Sequence, residues 1–214
     1  MLTPMPGYVT FDREMRIACT IAAGCAGLLF AAVSQAAQPI IDNERVTVWD
    51  VKWDKDHANP AGPQPNDSVT VWLTAGATHK AGDAVFSHKG TLTGEEGTRF
   101  IVVDLKDHRV PPLPNNSGYP NAFPRAGVKK LLENDRVVVW AYAWQPGTPT
   151  PMHFHDKDVV VTFFDDGPLK STTPDGKSVV NEYTFGAVRF NARDRIHTET
   201  LLKGNQHAVM VELK

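Results

Sequence analysis

Pro151-Met152-His153-Phe154-His155 is the stretch that decides the fold, and it stands between two runs typical of β-strands, 137–144 and 159–164. Two histidines at positions i and i+2 of a strand point to the same face. On the inner face of a barrel their imidazoles converge, and each neutral ring offers one nitrogen to a metal ion. His197, on a later run, is the candidate third ligand. For the His-x-His pattern alone, a half-exposed strand edge is the competing interpretation.

Most of the remaining chain also has the composition of strands. Short runs rich in β-branched and aromatic residues occur at 46–49, 69–73, 100–103 and 209–211, separated by Gly, Pro, Asn and Asp. They predict an all-β sandwich or barrel. A short helix is predicted only near 127–134.

A repeat lies on either side of a segment with five prolines, 111–125, which is predicted to be a connector. Residues 43–76 match 134–167 at a constant shift of 91 residues, so that Asn43-Glu44-Arg45-Val46 faces Asn134-Asp135-Arg136-Val137. This agreement predicts two copies of one β unit. The expected division is a leader at 1–36, a first unit at 37–110, a connector at 111–130 and a second unit at 131–214.

The spacing in the second unit resembles that of the cupin superfamily. Gly147, His153, His155 and Gly167 fall on the first cupin motif, and Gly186 and His197 fall on the second. The resemblance covers about residues 134–214, and the repeat extends it loosely to 43–106. It implies a duplicated cupin-type jelly-roll β-barrel, with a degenerate first copy and a divalent metal on His153, His155 and His197.

The sequence also departs from the cupin motifs. Val160 takes the place of the usual Glu ligand, Ala192 and Asp194 replace the Pro and Gly of the second motif, and Leu201 replaces its Asn. A three-histidine site leaves the metal its full charge and an open coordination position, as catalytic metals have. Some thiol-dioxygenase cupins use three histidines, so iron fits. Zinc, manganese, nickel, copper and cobalt suit imidazole equally.

The first copy serves as an internal control. Gly62, Gln64 and Thr93 stand at its ligand positions, so it is predicted to be structural. Asp158 and Glu199 lie near the histidines, but their counterparts are Asp67 and Glu95. Because those counterparts persist in a copy without ligands, structural roles are favoured for both residues.

Three residues are candidates for substrate binding, namely Tyr142, Phe163 and Arg189. An arginine near the metal suits a carboxylate substrate. A core position is favoured for Phe163, a surface position is an equal alternative for Arg189, and a surface position is favoured for Arg195. His207 is expected to be an ordinary hydrogen-bonded side chain, and a proton carrier near the site is the alternative.

The N-terminus has the layout of a secretory signal. An uncharged apolar run at 17–33 follows Arg16 and precedes Ser34-Gln35-Ala36, which predicts cleavage after Ala36 and a periplasmic or secreted protein. An uncleaved anchor is the alternative. Both cysteines, Cys19 and Cys25, lie in this segment, so no disulfide is expected in the mature protein.

Charge and composition limit the partners. The net charge is −2 and no basic block stands out, which argues against nucleic acid and, after cleavage, against membranes. A small-molecule ligand is expected, and a homodimer is one expected assembly. The favoured function is a metal-dependent enzyme, for dioxygenase-like oxidation or metal-assisted hydrolysis or isomerisation. The alternatives are a non-catalytic binding module, in which the metal grips a carboxylate or sugar, and a structural protein with an incidental metal.

Overall fold

The structure, a computed structural model, describes residues 38–54, 64–90, 92 and 94–214. The predicted leader, including both cysteines, and the first-copy residues Gly62 and Thr93 lie outside this part of the chain. The strands are β1 (Ile41–Asp42), β2 (Val46–Lys52), β3 (Asp67–Trp72), β4 (Ala84–Ser87), β5 (Arg99–Leu105), β6 (Lys129–Glu133), β7 (Val137–Trp144), β8 (His153–His155), β9 (Val159–Phe163), β10 (Gly167–Thr172), β11 (Ser178–Tyr183), β12 (Val188–Asn191), β13 (Arg195–Leu201) and β14 (Gln206–Leu213).

Strands β7 to β14 form a jelly-roll barrel of two antiparallel sheets. One sheet has the order β12-β9-β14-β7-β6 and is called here the central sheet; the other, the front sheet, has the order β11-β10-β13-β8. From β7 to β14 the chain alternates between the two sheets, except for the hairpin β10–β11. Eight strands arranged in this way are a double-sheet jelly roll, so the predicted all-β jelly-roll fold is confirmed.

The period-2 pattern of β9 explains how the central sheet serves two cores. Val159 and Val161 point into the barrel with Trp140 and Met210, while Val160 points to the opposite face. Successive side chains of a strand alternate between faces, so a run of valines is apolar on both. The central sheet is therefore buried on both sides.

The outer face of the central sheet packs against the N-terminal sheet, which has the order β1-β2-β5-β3-β4. Val48 and Val103 of the N-terminal sheet share one core with Val139 and Val211 of the central sheet. All four side chains are fully or almost fully buried. The N-terminal sheet therefore closes this face of the barrel.

The two five-stranded sheets correspond strand by strand. β1, β2, β5, β3 and β4 occupy the places that β6, β7, β14, β9 and β12 hold in the central sheet. The turns before β2 and β7 also agree, because the side-chain oxygens of Asn43 and Asn134 each accept the N–H groups two and three residues later. This correspondence agrees with the repeat; the duplication and the domain limits stay predictions.

The predicted helix at 127–134 is wrong. Residues Lys129–Glu133 form β6, which pairs with β7 across the turn at Asn134. Pairing with β7 overrides the good helix propensity of Lys and Leu here. Among the described residues no helix is long and apolar enough to cross a membrane.

The proline-rich segment packs against the barrel as well as connecting its parts. Ala122 and Phe123 are buried in the barrel core, and the Ala122 N–H donates to the Phe154 carbonyl at 2.7 Å. Phe123 stacks on Trp140, with ring centroids 5.5 Å apart. This packing brings the end of the segment to the mouth of the barrel.

Candidate metal centre

The structure brings His153, His155 and His197 together. β13 pairs with β8 in antiparallel register, with His197 directly opposite His153. His155 lies two residues along β8 and points to the same face. One ring nitrogen of each histidine lies within 4.8 Å of the others, and all three residues are buried. In the described part of the chain no other group of His, Cys, Asp and Glu forms such a cluster.

The nitrogen geometry fits a metal ion. His155 Nε2 lies 3.1 Å from His197 Nε2. Two imidazole nitrogens on one tetrahedral zinc, each about 2.0–2.1 Å from it, are about 3.3 Å apart. Little movement is therefore needed for both nitrogens to bind one ion.

Hydrogen bonds orient two of the rings. His153 Nδ1 lies 2.8 Å from the Pro151 carbonyl, an acceptor, so Nδ1 carries the proton and Nε2 keeps the lone pair that can bind a metal. His197 Nδ1 lies 3.0 Å from Ser171 Oγ, which leaves its Nε2 for the metal. Outer partners of this kind fix the tautomer and orientation of metal-binding histidines.

Burial keeps the three rings neutral. It lowers the pKa of His153 to about 4 and that of His197 to about 3, and it lowers the pKa of His155 well below its ordinary value. Nearby arginines add to the effect, with Arg125 acting on His153 and Arg195 on the other two. Neutral imidazole is the form that binds metal, so the donor set is ready at neutral pH.

A cavity of about 80 Å³ opens beside His155 and His197. A water needs about 10–15 Å³ of such space, so the cavity has room for several waters or a small ligand. Its lining combines apolar side chains, among them Val161, Phe163 and Met210, with polar ones. A cavity that combines apolar walls with convergent polar groups is a usual form of ligand site.

The structure places the predicted pocket residues in different positions. Phe163 and Arg189 line the cavity, and Phe163 stacks on Tyr183 with ring centroids 3.8 Å apart. Tyr142 is not among the lining residues; it packs beneath the guanidinium of Arg125 at 4.6 Å.

Arg195 also lines the cavity, so the favoured surface position for it is wrong. Arg195 precedes His197 by two residues on β13 and shares its face.

The carboxylates near the histidines have partners of their own. Glu199 lines the cavity, and its Oε2 accepts the Trp144 indole N–H at 3.2 Å. Asp158 faces away, in an ion pair with Arg45. His207 pairs with Asp165 on the surface, as expected for an ordinary polar side chain.

The cupin motif positions need one correction. Val160, aligned with the motif Glu, points away from the cavity, and the neighbouring Val159 lines it instead. Both residues are apolar, so no carboxylate enters the site here. Asp194, at the place of a motif glycine, has a positive φ of 68°. Asp tolerates this left-handed conformation better than most residues, so it can take the place of a glycine at a position with positive φ.

Arg125 is a functional candidate that sequence reasoning missed. Its Nη1 lies 3.2 Å from His153 Nε2, and its side chain is only 8% exposed. It comes from the proline-rich segment, where no periodic pattern assigns a side chain to a face. The only available signal was a single cation near the end of an otherwise uncharged run.

Comparison with known proteins gives structural neighbours only. No protein-family model matches the chain, and no curated protein matches it. Similar solved structures include a cupin domain from Bordetella pertussis Tohama I (28% identity, 46% of this chain and 99% of that chain, TM-score 0.39). They also include a cupin 2 conserved barrel domain protein from Leptotrichia buccalis (13% identity, 83% of this chain and 88% of that chain, TM-score 0.49). A third is an RmlC-like cupin family protein from Methanocaldococcus jannaschii (14% identity, 50% of this chain and 91% of that chain, TM-score 0.35).

Proposed function

We propose that this chain, whose second half has the strand order and the histidine spacing of a cupin barrel, binds one divalent metal ion and uses it to act on a small molecule. The observation that carries the proposal is the convergence of His153, His155 and His197, buried and neutral, within 4.8 Å of one another. The donor set does not select among iron, zinc, manganese, nickel, copper and cobalt.

The protein residues prepare the site for a reaction. An ion held there supplies Lewis-acid or water-activating chemistry, or redox chemistry if it is iron. Pro151 and Ser171 hold the rings in position, and apolar side chains line part of the cavity beside them. Glu199 is the only carboxylate among the described residues lining the cavity, so it is the candidate to hold a proton.

A binding module without catalysis is the second candidate. Glu199 already accepts a hydrogen bond from Trp144, and among the described lining residues no other carboxylate is available for proton transfer. A site with so few acid–base groups suits a metal that only grips a carboxylate or sugar. Both candidate functions need the metal, and only the enzyme converts its ligand into a product.

The test is metal analysis of protein purified without an affinity tag, alongside His153→Ala and His207→Ala. We expect about one metal per chain in the wild type and in His207→Ala, and a loss in His153→Ala. His207 is a suitable control because it is a surface histidine on β14, outside the cluster. Stoichiometric metal that persists in His153→Ala would exclude this site.

A further measurement separates the two candidates. If the metal is iron, oxygen uptake with small thiols and catechols reports oxidation, and binding without uptake favours the binding module. For other metals, product formation from a small-molecule panel serves the same purpose.

We also propose that the protein acts in the periplasm or outside the cell. The support is the apolar run at 17–33 and the small residues before Ala37. N-terminal sequencing of the protein from its native cells is expected to begin at Ala37, whereas an intact leader would contradict cleavage.

A further inference from the structure

Arg125 is a buried cation with too few partners. Its side chain is 8% exposed, and its Nε and Nη2 have no hydrogen-bond partner among the described residues. The nearest carboxylate oxygen, Oε2 of Glu199, is 3.9 Å from Nη2, which is beyond hydrogen-bond distance. The remaining neighbours are the faces of Phe123 and Tyr142, 5.2 and 4.6 Å from the guanidinium carbon. Burial lowers the pKa of Arg125, and this effect outweighs the opposing effects of Glu199 and Tyr142.

Arg125 also makes a hydrogen bond to the atom that would bind the metal. Nη1 donates to His153 Nε2 at 3.2 Å. That nitrogen has a single lone pair, so it cannot accept from Arg125 and bind an ion at the same time. Metal binding therefore removes this partner and adds a positive charge nearby. Arg125 then has only the Glu199 carboxylate, 3.9 Å away, as an anionic partner among the described residues, and can bind a further anion.

The cavity beside Arg125 has the surface of a site for an organic acid. Arg189 and Arg195 line it with Arg125, against the single carboxylate of Glu199. The lining also includes an apolar and aromatic wall, with Phe163 and Met210, on the same sheet as Arg189. A small inorganic anion would leave that wall without a partner. A carboxylate on an apolar body satisfies both kinds of side chain.

We infer that the ligand of this cavity is a small carboxylic acid with an apolar body, that the guanidinium of Arg125 binds its carboxylate, and that metal and acid bind cooperatively because the metal displaces Arg125 from His153. The Nε and Nη2 groups of one guanidinium form a fork that matches a carboxylate. The cooperative part of this inference rests on the proposed metal site; the anion-binding part does not.

The experiment measures benzoate binding by titration calorimetry, with benzamide as the neutral analogue of the same shape. Each is titrated into chelator-treated protein and into protein loaded with zinc, with zinc content measured in parallel. The variants are Arg125→Met, Arg125→Lys and the control Arg109→Met. Arg109 is an exposed arginine paired with Asp135, outside the cavity.

We expect benzoate to bind and benzamide to bind at least about tenfold more weakly. Zinc should tighten benzoate binding, and benzoate should tighten zinc binding by the same factor, because linkage is reciprocal. Arg125→Met should weaken benzoate binding about 10- to 100-fold and reduce the coupling. Arg125→Lys keeps the charge but loses the fork, and should be intermediate. Arg109→Met should resemble the wild type.

The outcomes separate this inference from the metal proposal. Stoichiometric zinc with benzoate binding unaffected by both Arg125 variants would overturn the inference and leave the metal site intact. If the protein takes up no zinc but binds benzoate in an Arg125-dependent way, anion recognition is supported, and the metal proposal and the predicted cooperativity are contradicted. Equal binding of benzoate and benzamide, or no benzoate binding to either form, would contradict the inference.

Discussion

Arg45 Nη1 lies 2.6 Å from Asp158 Oδ2, and both side chains are at least nine-tenths buried. A second pair, Arg136 and Asp67, lies at 3.8 Å. Positions 45 and 136 match in the repeat, as do 67 and 158, so each half gives an arginine to the aspartate of the other. Such reciprocity is the rule for interfaces between two equivalent surfaces. It agrees with the predicted duplication, which stays a prediction.

The Arg45–Asp158 pair is expected to be important for stability. Arg45→Met leaves Asp158 buried without its ionic partner, which should lower the free energy of unfolding by about 3–5 kcal/mol. Urea unfolding measures the change. In the double variant Arg45→Met/Asp158→Leu no charge is left unpaired, so part of the loss should be recovered. A cost below about 1 kcal/mol for the single variant would show that the pair is unimportant.

The metal-free protein should become less stable as the pH falls below about 6.5. The folded pKa values of His153 and His197, about 4 and about 3, lie below the ordinary 6.5. Between these values the unfolded chain binds more protons than the folded chain, so acid favours unfolding. Urea unfolding at pH 7, 6 and 5 with chelator present measures this effect. In a His153→Gln/His197→Gln variant the free energy of unfolding should depend less on pH. An unchanged pH dependence would show that these two histidines are not its cause.

Zinc affinity should depend only weakly on pH between 7 and 5.5. Three histidines of ordinary pKa would lose about a thousandfold in affinity at pH 5.5 through proton competition. Here burial lowers the pKa of all three, so little competition is expected. Competition titration with a chromophoric chelator provides the measurement. A loss approaching a thousandfold would mean that the rings titrate normally.

Ser171→Ala should weaken zinc binding about 10- to 100-fold, because Ser171 Oγ is the partner of His197 Nδ1. Ser178→Ala is the matched control, since its hydroxyl bonds only to Thr172 in an exposed part of the same sheet. The same chelator competition applies. Equal zinc affinities for the two variants would show that Ser171 does not support metal binding.

Phe123→Ala should destabilise the fold by about 3 kcal/mol, because it removes a buried ring stacked on Trp140. It should also weaken benzoate binding, since Phe123 supports the segment that carries Arg125. Tyr119→Ala, an exposed aromatic in the same segment, should change stability by less than about 0.5 kcal/mol. Thermal unfolding and calorimetry report the two effects; similar results for both variants would contradict a supporting role.

The sequence was sufficient where the signal is local and repeated. Three strands of the barrel, β7, β9 and β14, are predicted from runs of β-branched and aromatic residues. The cluster of His153, His155 and His197 is predicted from a two-residue spacing and a motif. Both signals depend on side chains alternating along a strand, which holds wherever the strand packs.

Features that depend on docking were not predicted. Residues 129–133 become a strand only because β7 offers an edge. Arg125 reaches the cavity because Asn121 and Ala122 join the backbone of Phe154, a contact between distant parts of the chain. The sequence favours a surface position for Arg195 because a single arginine in a half-polar strand does not indicate whether its side chain faces solvent or a cavity.

The N-terminal sheet covers an apolar face of the barrel from within the same polypeptide. Because the two sheets are tethered, their association is unimolecular and does not weaken on dilution. A barrel cut free at the connector would expose the valines of the central sheet to solvent, and we expect it to self-associate or aggregate. The first half of the chain thus keeps the apolar surface behind the predicted metal centre away from solvent and from other molecules.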